Sequence, residues 1–254
     1  MILERFQVTG KNALVTGSSK GLGAAIALGL AEAGANVVIH GRTGDPNDIC
    51  SRVREMGRRS AFVQADLSDP RACQQLVEKV VEGLGAIDIL VNNAGIIRRS
   101  PASEFPTADW DEVIAVNLTA AFRLCQLAGN RMLERGNGGK IVNVASLLSF
   151  QGGVLVPSYA AAKGGLVQLT KALANEWASL RINVNAVAPG YMVTENTTAL
   201  RNDPVRSRQI LERIPSGRWG EPCDVAGAAV FLCSPASEYV HGHVLVVDGG
   251  WLAR

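Results

Sequence analysis

Short apolar segments alternate along the whole chain with segments of helical periodicity, and this alternation restricts the possible folds more than any other feature. Seven segments are short and rich in β-branched residues: 12–17, 36–40, 60–66, 87–95, 140–146, 182–190 and 243–250. Several are apolar almost throughout, as strands are when helices cover both faces of a parallel sheet. With helical crossovers and no Pro/Gly-rich linker, we expect one doubly wound α/β domain over residues 1–254.

Composition narrows the class of protein. Apolar residues make up 47% and charged residues 19% of the 254 residues, which suits a compact core. The formal net charge is +2, with both signs mixed along the chain, so we expect no nucleic-acid or membrane partner. No apolar run reaches the roughly 18 residues of a spanning helix, and Glu4 and Arg5 interrupt the N-terminal apolar stretch. We therefore expect a cytoplasmic protein. The five scattered cysteines lack metal-type spacing, so no metal site is predicted.

A glycine-rich turn joins the first predicted strand to the first helix. The segment 16–23 reads TGSSKGLG, with the spacing G-x-x-x-G-x-G rather than G-x-G-x-x-G. Glycines let the backbone turn tightly, and the N-terminus of the following helix offers unpaired N–H groups to a pyrophosphate. The third and fourth strands end in ADL (65–67) and NNAG (92–95), at the same edge of a parallel sheet. This edge is therefore a candidate dinucleotide site.

A second pattern lies in the middle of the chain, where Ser146 is followed by Tyr159 and Lys163. A Tyr and a Lys four residues apart lie on one face of a helix. An ammonium beside a phenol favours the phenolate, so we expect the pKa of Tyr159 to fall from about 10 towards neutrality. Tyr159 is thus a candidate proton-transfer group. The spacing alone also arises by chance, and the pattern gains its weight from the glycine turn.

Together these features resemble the short-chain dehydrogenase/reductase family, in order and spacing and over essentially the whole chain. The matching pieces are TGSSKGLG, NNAG, Asn117 in AVNLTA, Ser146, Tyr159 with Lys163, and Pro189-Gly190. The resemblance implies a Rossmann domain with strand order 3-2-1-4-5-6-7 and hydride transfer between a nicotinamide cofactor and an alcohol or ketone. It implies that Tyr159 exchanges a proton with the substrate oxygen and that Ser146 stabilises charge on that oxygen. Lys163 would lower the Tyr159 pKa and bind the nicotinamide ribose, and Asn117 would hold a relay water.

The same resemblance implies a cofactor site along the carboxyl edge of the sheet. The residue at the end of the second strand usually selects between NADP and NAD. That segment reads IHGRT (39–43) and has no acid, whereas Arg42 and Lys20 are cations suited to a 2′-phosphate. We therefore favour NADP, with NAD as the alternative because Asp45 can reach the ribose if its loop folds back. The predicted cofactor-binding residues are Gly17, Ser19, Lys20, Gly21, Leu22, Gly23, Arg42, Asp66, Leu67, Asn93, Ala94, Gly95, Tyr159, Lys163, Pro189 and Gly190.

Several segments resemble a narrower group of the family that acts on sugar acids, the gluconate 5-dehydrogenase, 2-deoxy-D-gluconate 3-dehydrogenase and 2-dehydro-3-deoxy-D-gluconate 5-dehydrogenase types. They are 92–99, 147–159, 182–197, 213–222 and 247–254. A hexonate is an anion rich in hydroxyls. Arg98 and Arg99 can pair with its carboxylate, and Gln151 can form hydrogen bonds with its hydroxyls. The predicted substrate residues are Arg98, Arg99, Ser146, Gln151, Tyr159, Tyr191 and Trp219, and the polar segment 190–220 is a candidate lid.

Two other functions remain open at this stage. A 3-oxoacyl-carrier-protein reductase would share every catalytic motif, and a non-catalytic nucleotide-binding regulator would share the fold but typically lacks the Tyr or the Lys. The oxidised carbon cannot be read from the sequence. The resemblance further implies a homotetramer, and the apparently exposed tail GGWLAR (249–254) predicts that Trp251 is buried between subunits.

Overall fold

A seven-stranded parallel sheet forms the centre of the molecule. The computed structural model describes residues 1–45 and 47–254. The strand order is β3-β2-β1-β4-β5-β6-β7, which confirms the predicted topology. Each predicted strand forms, although most end earlier than the apolar runs suggest. The strands are β1 (Asn12–Val15), β2 (Asn36–Gly41), β3 (Ser60–Gln64), β4 (Ile89–Asn92), β5 (Gly139–Val144), β6 (Ile182–Pro189) and β7 (Val244–Val247).

Helices cover both faces of this sheet. Leu14 and Val38 point to one face, and their neighbours Val15 and Ile39 point to the other; all four are fully buried. Helices α1, α2 and α9 pack on the second face, and α3, α5 and α6 on the first. The helices are α1 (Gly21–Glu32), α2 (Ile49–Glu55), α3 (Ala72–Leu84), α4 (Thr107–Ile114), α5 (Ala120–Arg135), α6 (Pro157–Trp177), α7 (Thr198–Asn202), α8 (Pro204–Arg213) and α9 (Pro222–Cys233). In the described ranges, none of them has the length and apolar character that crossing a membrane would require.

A π-helical turn joins α4 to α5. It covers Ala115–Thr119 and widens an otherwise continuous helical run at Asn117. Turns of this kind inside α-helices often mark functional sites. Asn117 is buried, with 1% of its surface exposed. The widened turn therefore holds a polar side chain inside the protein, beside the end of β4.

The 190–220 segment is largely helical and packs against the C-terminal tail (residues 248–254). Helices α7 and α8 lie within it, and a bridge between Met192 and Gly220 closes its base. Trp251 has 4% of its surface exposed and lies in an apolar cluster with Leu147 and Ile210. Trp251 is buried as predicted, but its own chain covers it rather than a partner subunit, because the tail folds back. The argument from Trp251 to a tetramer interface therefore falls away.

Candidate active site

A groove of about 530 Å³ lies along the carboxyl edge of the sheet. The glycine turn is at one end of it, and Ser146 with Tyr159 at the other. Every residue predicted above to bind the cofactor lines this groove, from Gly17 to Gly190. Parallel strands place their carboxyl ends at one edge, which is why turns that are distant in sequence meet here.

The shape of the glycine turn requires glycine at several positions. Gly17 and Gly21 have φ angles of +61° and +58°, in the left-handed region that favours glycine. A Cβ on Gly23 would lie 2.3 Å from the Gly17 carbonyl oxygen, so only glycine fits there. The Asn93 side-chain amide donates to the carbonyls of Thr16 (2.9 Å) and Gly17 (3.0 Å). Asn93 thus fixes the turn from the neighbouring strand.

Charged groups lie at the adenosine end of the groove. Arg42 is exposed at the end of β2, and two hydrogen bonds from Ser68, helped by the nearby Arg42 charge, lower the pKa of Asp66. Lys20 Nζ lies 2.5 Å from Glu195 Oε2, a carboxylate of the 190–220 segment. An ion pair therefore links the glycine turn to that segment.

Ser146, Tyr159 and Lys163 meet at the other end. Ser146 follows β5, and Pro157 begins α6, which places Tyr159 in its first turn and Lys163 one turn later. Lys163 is 3% exposed, and its ammonium donates to the Val144 carbonyl at 2.6 Å. The same nitrogen lies 5.7 Å from the centre of the Tyr159 ring. The local sequence therefore brings the phenol, the hydroxyl and the ammonium to one wall of the groove.

Burial changes the acidity of both groups on α6. It raises the pKa of Tyr159, although the Ser146 hydroxyl and the Arg99 guanidinium act in the opposite direction. It lowers the pKa of Lys163 to about 8. The predicted lowering of the Tyr159 pKa was therefore wrong for the chain alone. The ammonium is directed to the Val144 carbonyl, and desolvation of the phenolate outweighs the nearby positive charges.

Asn117 lies beside this group but uses its side chain elsewhere. Its Oδ1 accepts from the Ile96 N–H at 2.8 Å, and its Nδ2 donates to the Ile96 carbonyl at 2.9 Å. A methyl group added to Gly95 would lie 3.3 Å from Asn117 Oδ1 and 3.8 Å from Lys163 Nζ. Asn117 therefore fixes the loop after β4 close to Lys163, and its predicted role with a relay water stays a prediction.

The two arginines after β4 differ in their surroundings. Arg98 lies 2.6 Å from Glu112 and 3.7 Å from Asp109, so its charge is already compensated by two carboxylates. Arg99 is exposed and donates to the Asn196 carbonyl at 3.3 Å, and its charge acts on Tyr159. Neither arginine lines the groove itself; of the two, Arg99 is the one whose charge acts on the phenol.

The other predicted substrate residues hold the C-terminal tail. The Gln151 side-chain oxygen accepts from Trp251 Nε1 and Arg213 Nη2, both at 3.4 Å. The Tyr191 ring packs edge-on against Trp219, with ring centres 5.7 Å apart, and at a tilt against Trp251, with ring centres 4.6 Å apart. None of Gln151, Tyr191 and Trp219 lines the groove. In the chain alone these three side chains pack against the tail, and their contact with a substrate stays a prediction.

The groove also has lining residues that the sequence reasoning missed. One group comes from the loop and helix after β4, and a second from the segment after β6. The polar run TENTT (194–198), directly after the Pro189-Gly190 turn, was a readable signal for the second group. The missed residues include His40, Ile96, Glu112, Val116, Met192, Thr194, Glu195, Asn196 and Thr197.

Comparison with known proteins finds similarity over the full length. A family model described as enoyl-(acyl carrier protein) reductase matches residues 17–252. The 2-dehydro-3-deoxy-D-gluconate 5-dehydrogenases of Dickeya dadantii (strain 3937) and Escherichia coli (strain K12) are 52% and 51% identical over 254 residues, covering 100% of each chain. The crystal structure of a gluconate 5-dehydrogenase from Burkholderia cenocepacia J2315, in complex with NADP and tartrate, is 40% identical with a TM-score of 0.95 and covers 100% of both chains.

Proposed function

The chain belongs to the short-chain dehydrogenase/reductase family, and we propose that it is an NADP-dependent oxidoreductase that interconverts a secondary alcohol and a ketone of a hexonate-type sugar acid. One observation carries the proposal: Ser146, Tyr159 and Lys163 line the same groove as the glycine turn. A proton-transfer group and a dinucleotide cradle thus share one site, and the sugar-acid relatives supply the substrate class.

The residues of the groove fit a nicotinamide dinucleotide. The glycine turn leaves no space for a side chain at Gly23. Helix α1 starts at Gly21, and the N–H groups of its first turn are free to bind a pyrophosphate. Arg42 is exposed at the end of β2, where a 2′-phosphate would lie, which favours NADP. When bound, the nicotinamide supplies or accepts the hydride.

Tyr159 manages the proton in this proposal. Its raised pKa keeps the phenol protonated, so Tyr159 gives its proton to the carbonyl oxygen of a ketone and takes it back in the reverse direction. The Ser146 hydroxyl donates a hydrogen bond to the same oxygen as negative charge develops on it. Arg99 is the charge that acts on Tyr159 in the chain alone. Lys163 is positively charged below about pH 8 and would hold the nicotinamide ribose.

The substrate we propose first is 2-dehydro-3-deoxy-D-gluconate, whose C5 hydroxyl is oxidised to a ketone or formed from it. Two relatives that cover the whole chain are named for that reaction. Gluconate and its 5-keto form come second, since another relative is named for them. Arg99 is the cation that pairs with the carboxylate, because it is exposed and its charge reaches Tyr159. Arg98 is not proposed for this role, since Glu112 and Asp109 already compensate it.

The 190–220 segment closes over the substrate in this proposal. Thr194 and Thr197 line the groove, and the contacts of Glu195 with Lys20 and of Asn196 with Arg99 span its opening. The family resemblance also supports a homotetramer that works in the cytoplasm. Light scattering tests whether the protein is a tetramer.

An activity panel tests the proposal. In the oxidation assays, NADP and NAD are each offered with 2-dehydro-3-deoxy-D-gluconate, gluconate and 2-deoxygluconate. In the reduction assays, NADPH and NADH are each offered with the keto forms of these sugar acids and with an acetoacetyl thioester. The value of kcat/KM is measured for every pair. We expect the highest value for a sugar acid with NADP or NADPH. Turnover of the thioester alone would instead identify an acyl-carrier-protein reductase.

A matched control separates catalysis from cofactor binding. Tyr159→Phe keeps the ring but removes the proton, so kcat should fall by about 10² to 10⁴ while the Kd for NADPH stays the same. Residual activity within about tenfold of the wild type would contradict the role of Tyr159. If the wild type turns over none of the substrates yet binds NADPH, the protein is a nucleotide-binding regulator.

A further inference from the structure

We propose that His40 is a positioning residue for the dinucleotide site, holding the glycine turn in its binding geometry from the end of β2. The inference rests on the proposed dinucleotide binding and adds to it a residue that acts through the glycine turn rather than on the reacting atoms. Sequence patterns singled out Arg42 in this segment and passed over His40, two positions earlier.

His40 is 3% exposed and both ring nitrogens have partners. Its Nδ1 accepts from the Gly17 N–H at 3.0 Å, and its Nε2 lies 3.2 Å from the Ala65 carbonyl oxygen. Its backbone N–H donates to Ser18 Oγ at 3.0 Å, and its carbonyl accepts from the Ser18 N–H at 2.8 Å. One residue therefore ties the glycine turn to the end of β3, where the adenine side of the groove begins.

The two partners determine the proton arrangement of the ring. A backbone N–H can only donate and a carbonyl can only accept, so Nδ1 is unprotonated and Nε2 carries the proton. Burial lowers the pKa of His40 to about 4, against smaller opposing effects of the Ala65 carbonyl and the Asp66 carboxylate. The ring is thus neutral near neutral pH and stays an acceptor for Gly17.

The backbone of Gly17 is held at both its N–H and its carbonyl. His40 binds its N–H, and the Asn93 side chain binds its carbonyl. The Gly17 N–H is therefore already used, and a pyrophosphate must take the N–H groups at the start of α1 instead. Because the turn is fixed before the ligand arrives, binding does not have to order it. Without the Nδ1 acceptor Gly17 loses one of its two side-chain partners, and each dinucleotide must restore the geometry.

This role differs from that of Arg42 in a measurable way. NADP and NAD share the pyrophosphate that the turn receives, and they differ only at the ribose 2′ position. Loss of the clamp on Gly17 should therefore weaken both cofactors by the same factor. A change at Arg42 should alter the ratio of the two affinities.

Two amide variants separate the two hydrogen bonds. In His40→Asn, Oδ1 takes the place of Nδ1 and keeps the acceptor for Gly17. In His40→Gln, the side-chain NH₂ takes the place of Nε2 and keeps only the donor to Ala65. Kd values for NADP and NAD are measured by calorimetry near neutral pH, with kcat at saturating cofactor and the Tm of each variant. We expect His40→Asn to stay within about threefold of the wild type, and His40→Gln to raise both Kd values about tenfold with their ratio and kcat unchanged.

Other outcomes overturn the inference or the function beneath it. Equal Kd values for the Asn and Gln variants would overturn it, as would a change in the NADP to NAD ratio or a loss of Tm in both with no change in Kd. A wild type that binds neither cofactor would instead overturn the proposed function. If a variant does not fold, ¹⁵N NMR of the wild-type imidazole decides: a proton on Nε2 alone supports the proposal, and a proton on Nδ1 overturns it.

Discussion

Truncation of Trp251 to alanine should destabilise the protomer strongly. The indole is 4% exposed, lies 4.6 Å from the Tyr191 ring, and carries the Arg213 guanidinium 4.0 Å above it. Replacing a buried Trp with Ala costs about 3–5 kcal/mol, of which the aromatic pair and the cation–π contact account for about 1–2 kcal/mol. The hydrogen bond to Gln151 is long, at 3.4 Å, and contributes little. Trp251→Phe keeps most of the packing and should cost only about 1 kcal/mol.

Denaturant unfolding measures these free energies. We expect a lower midpoint with an unchanged slope for Trp251→Ala and a small shift for Trp251→Phe. Because Leu147, the neighbour of Ser146, belongs to the same cluster, the KM for the sugar acid should also rise, while the Kd for NADPH stays the same. The mass measured by light scattering should not change. A lower mass together with an unfolding free energy within about 1 kcal/mol of the wild type would mean that a partner subunit, and not the protein's own chain, covers the tail.

Three further substitutions probe the groove. Gly23→Ala places a Cβ 2.3 Å from a backbone oxygen, so calorimetry should show loss of NADPH binding at a cost in stability of about 1–3 kcal/mol; unchanged binding would mean that the turn can relax. Arg42→Ala should raise the KM for NADP about tenfold and leave that for NAD alone, and an unchanged ratio would assign selectivity elsewhere. For Lys163, whose folded pKa is lowered to about 8, the positive charge is present below that pH and lost above it, so kcat/KM for NADPH should fall above about pH 8. Lys163→Met should remove this limb of the pH profile, and its persistence would assign the titration to another group.

The fold was readable because its signal is local. A strand covered on both faces is apolar at every position, as in Leu14 and Val15 of β1, and the intervening helices fix the parallel order. Strand ends were less readable, since the predicted strands run into ADL and NNAG although pairing stops at Gln64 and Asn92. The hydrogen bonds of Asp66 with Ser68 and of Asn93 with Thr16 end those strands, and such contacts leave no periodic signal.

The groove shows the same division. The cofactor-side residues are predictable because they occupy turns at the carboxyl ends of parallel strands, where topology alone brings them together. The substrate side depends on which of two similar side chains lies next to a compensating carboxylate. Arg98 and Arg99 are neighbours of one type, yet Glu112 lies near only the former. Gln151, Tyr191 and Trp219 have the composition of a sugar site, and the folded chain packs them against the tail.

The sequence by itself therefore determined the α/β sheet, its dinucleotide edge and the Ser146, Tyr159 and Lys163 group, because each depends on residue types at short spacing. Only the tertiary structure decided the state of those groups. The pKa of Tyr159 rises because burial outweighs the positive charges around it, and His40 holds the glycine turn because β2 ends beside Gly17. Desolvation and hydrogen-bond partnership depend on neighbours distant in sequence, and the packed chain alone brings those neighbours together.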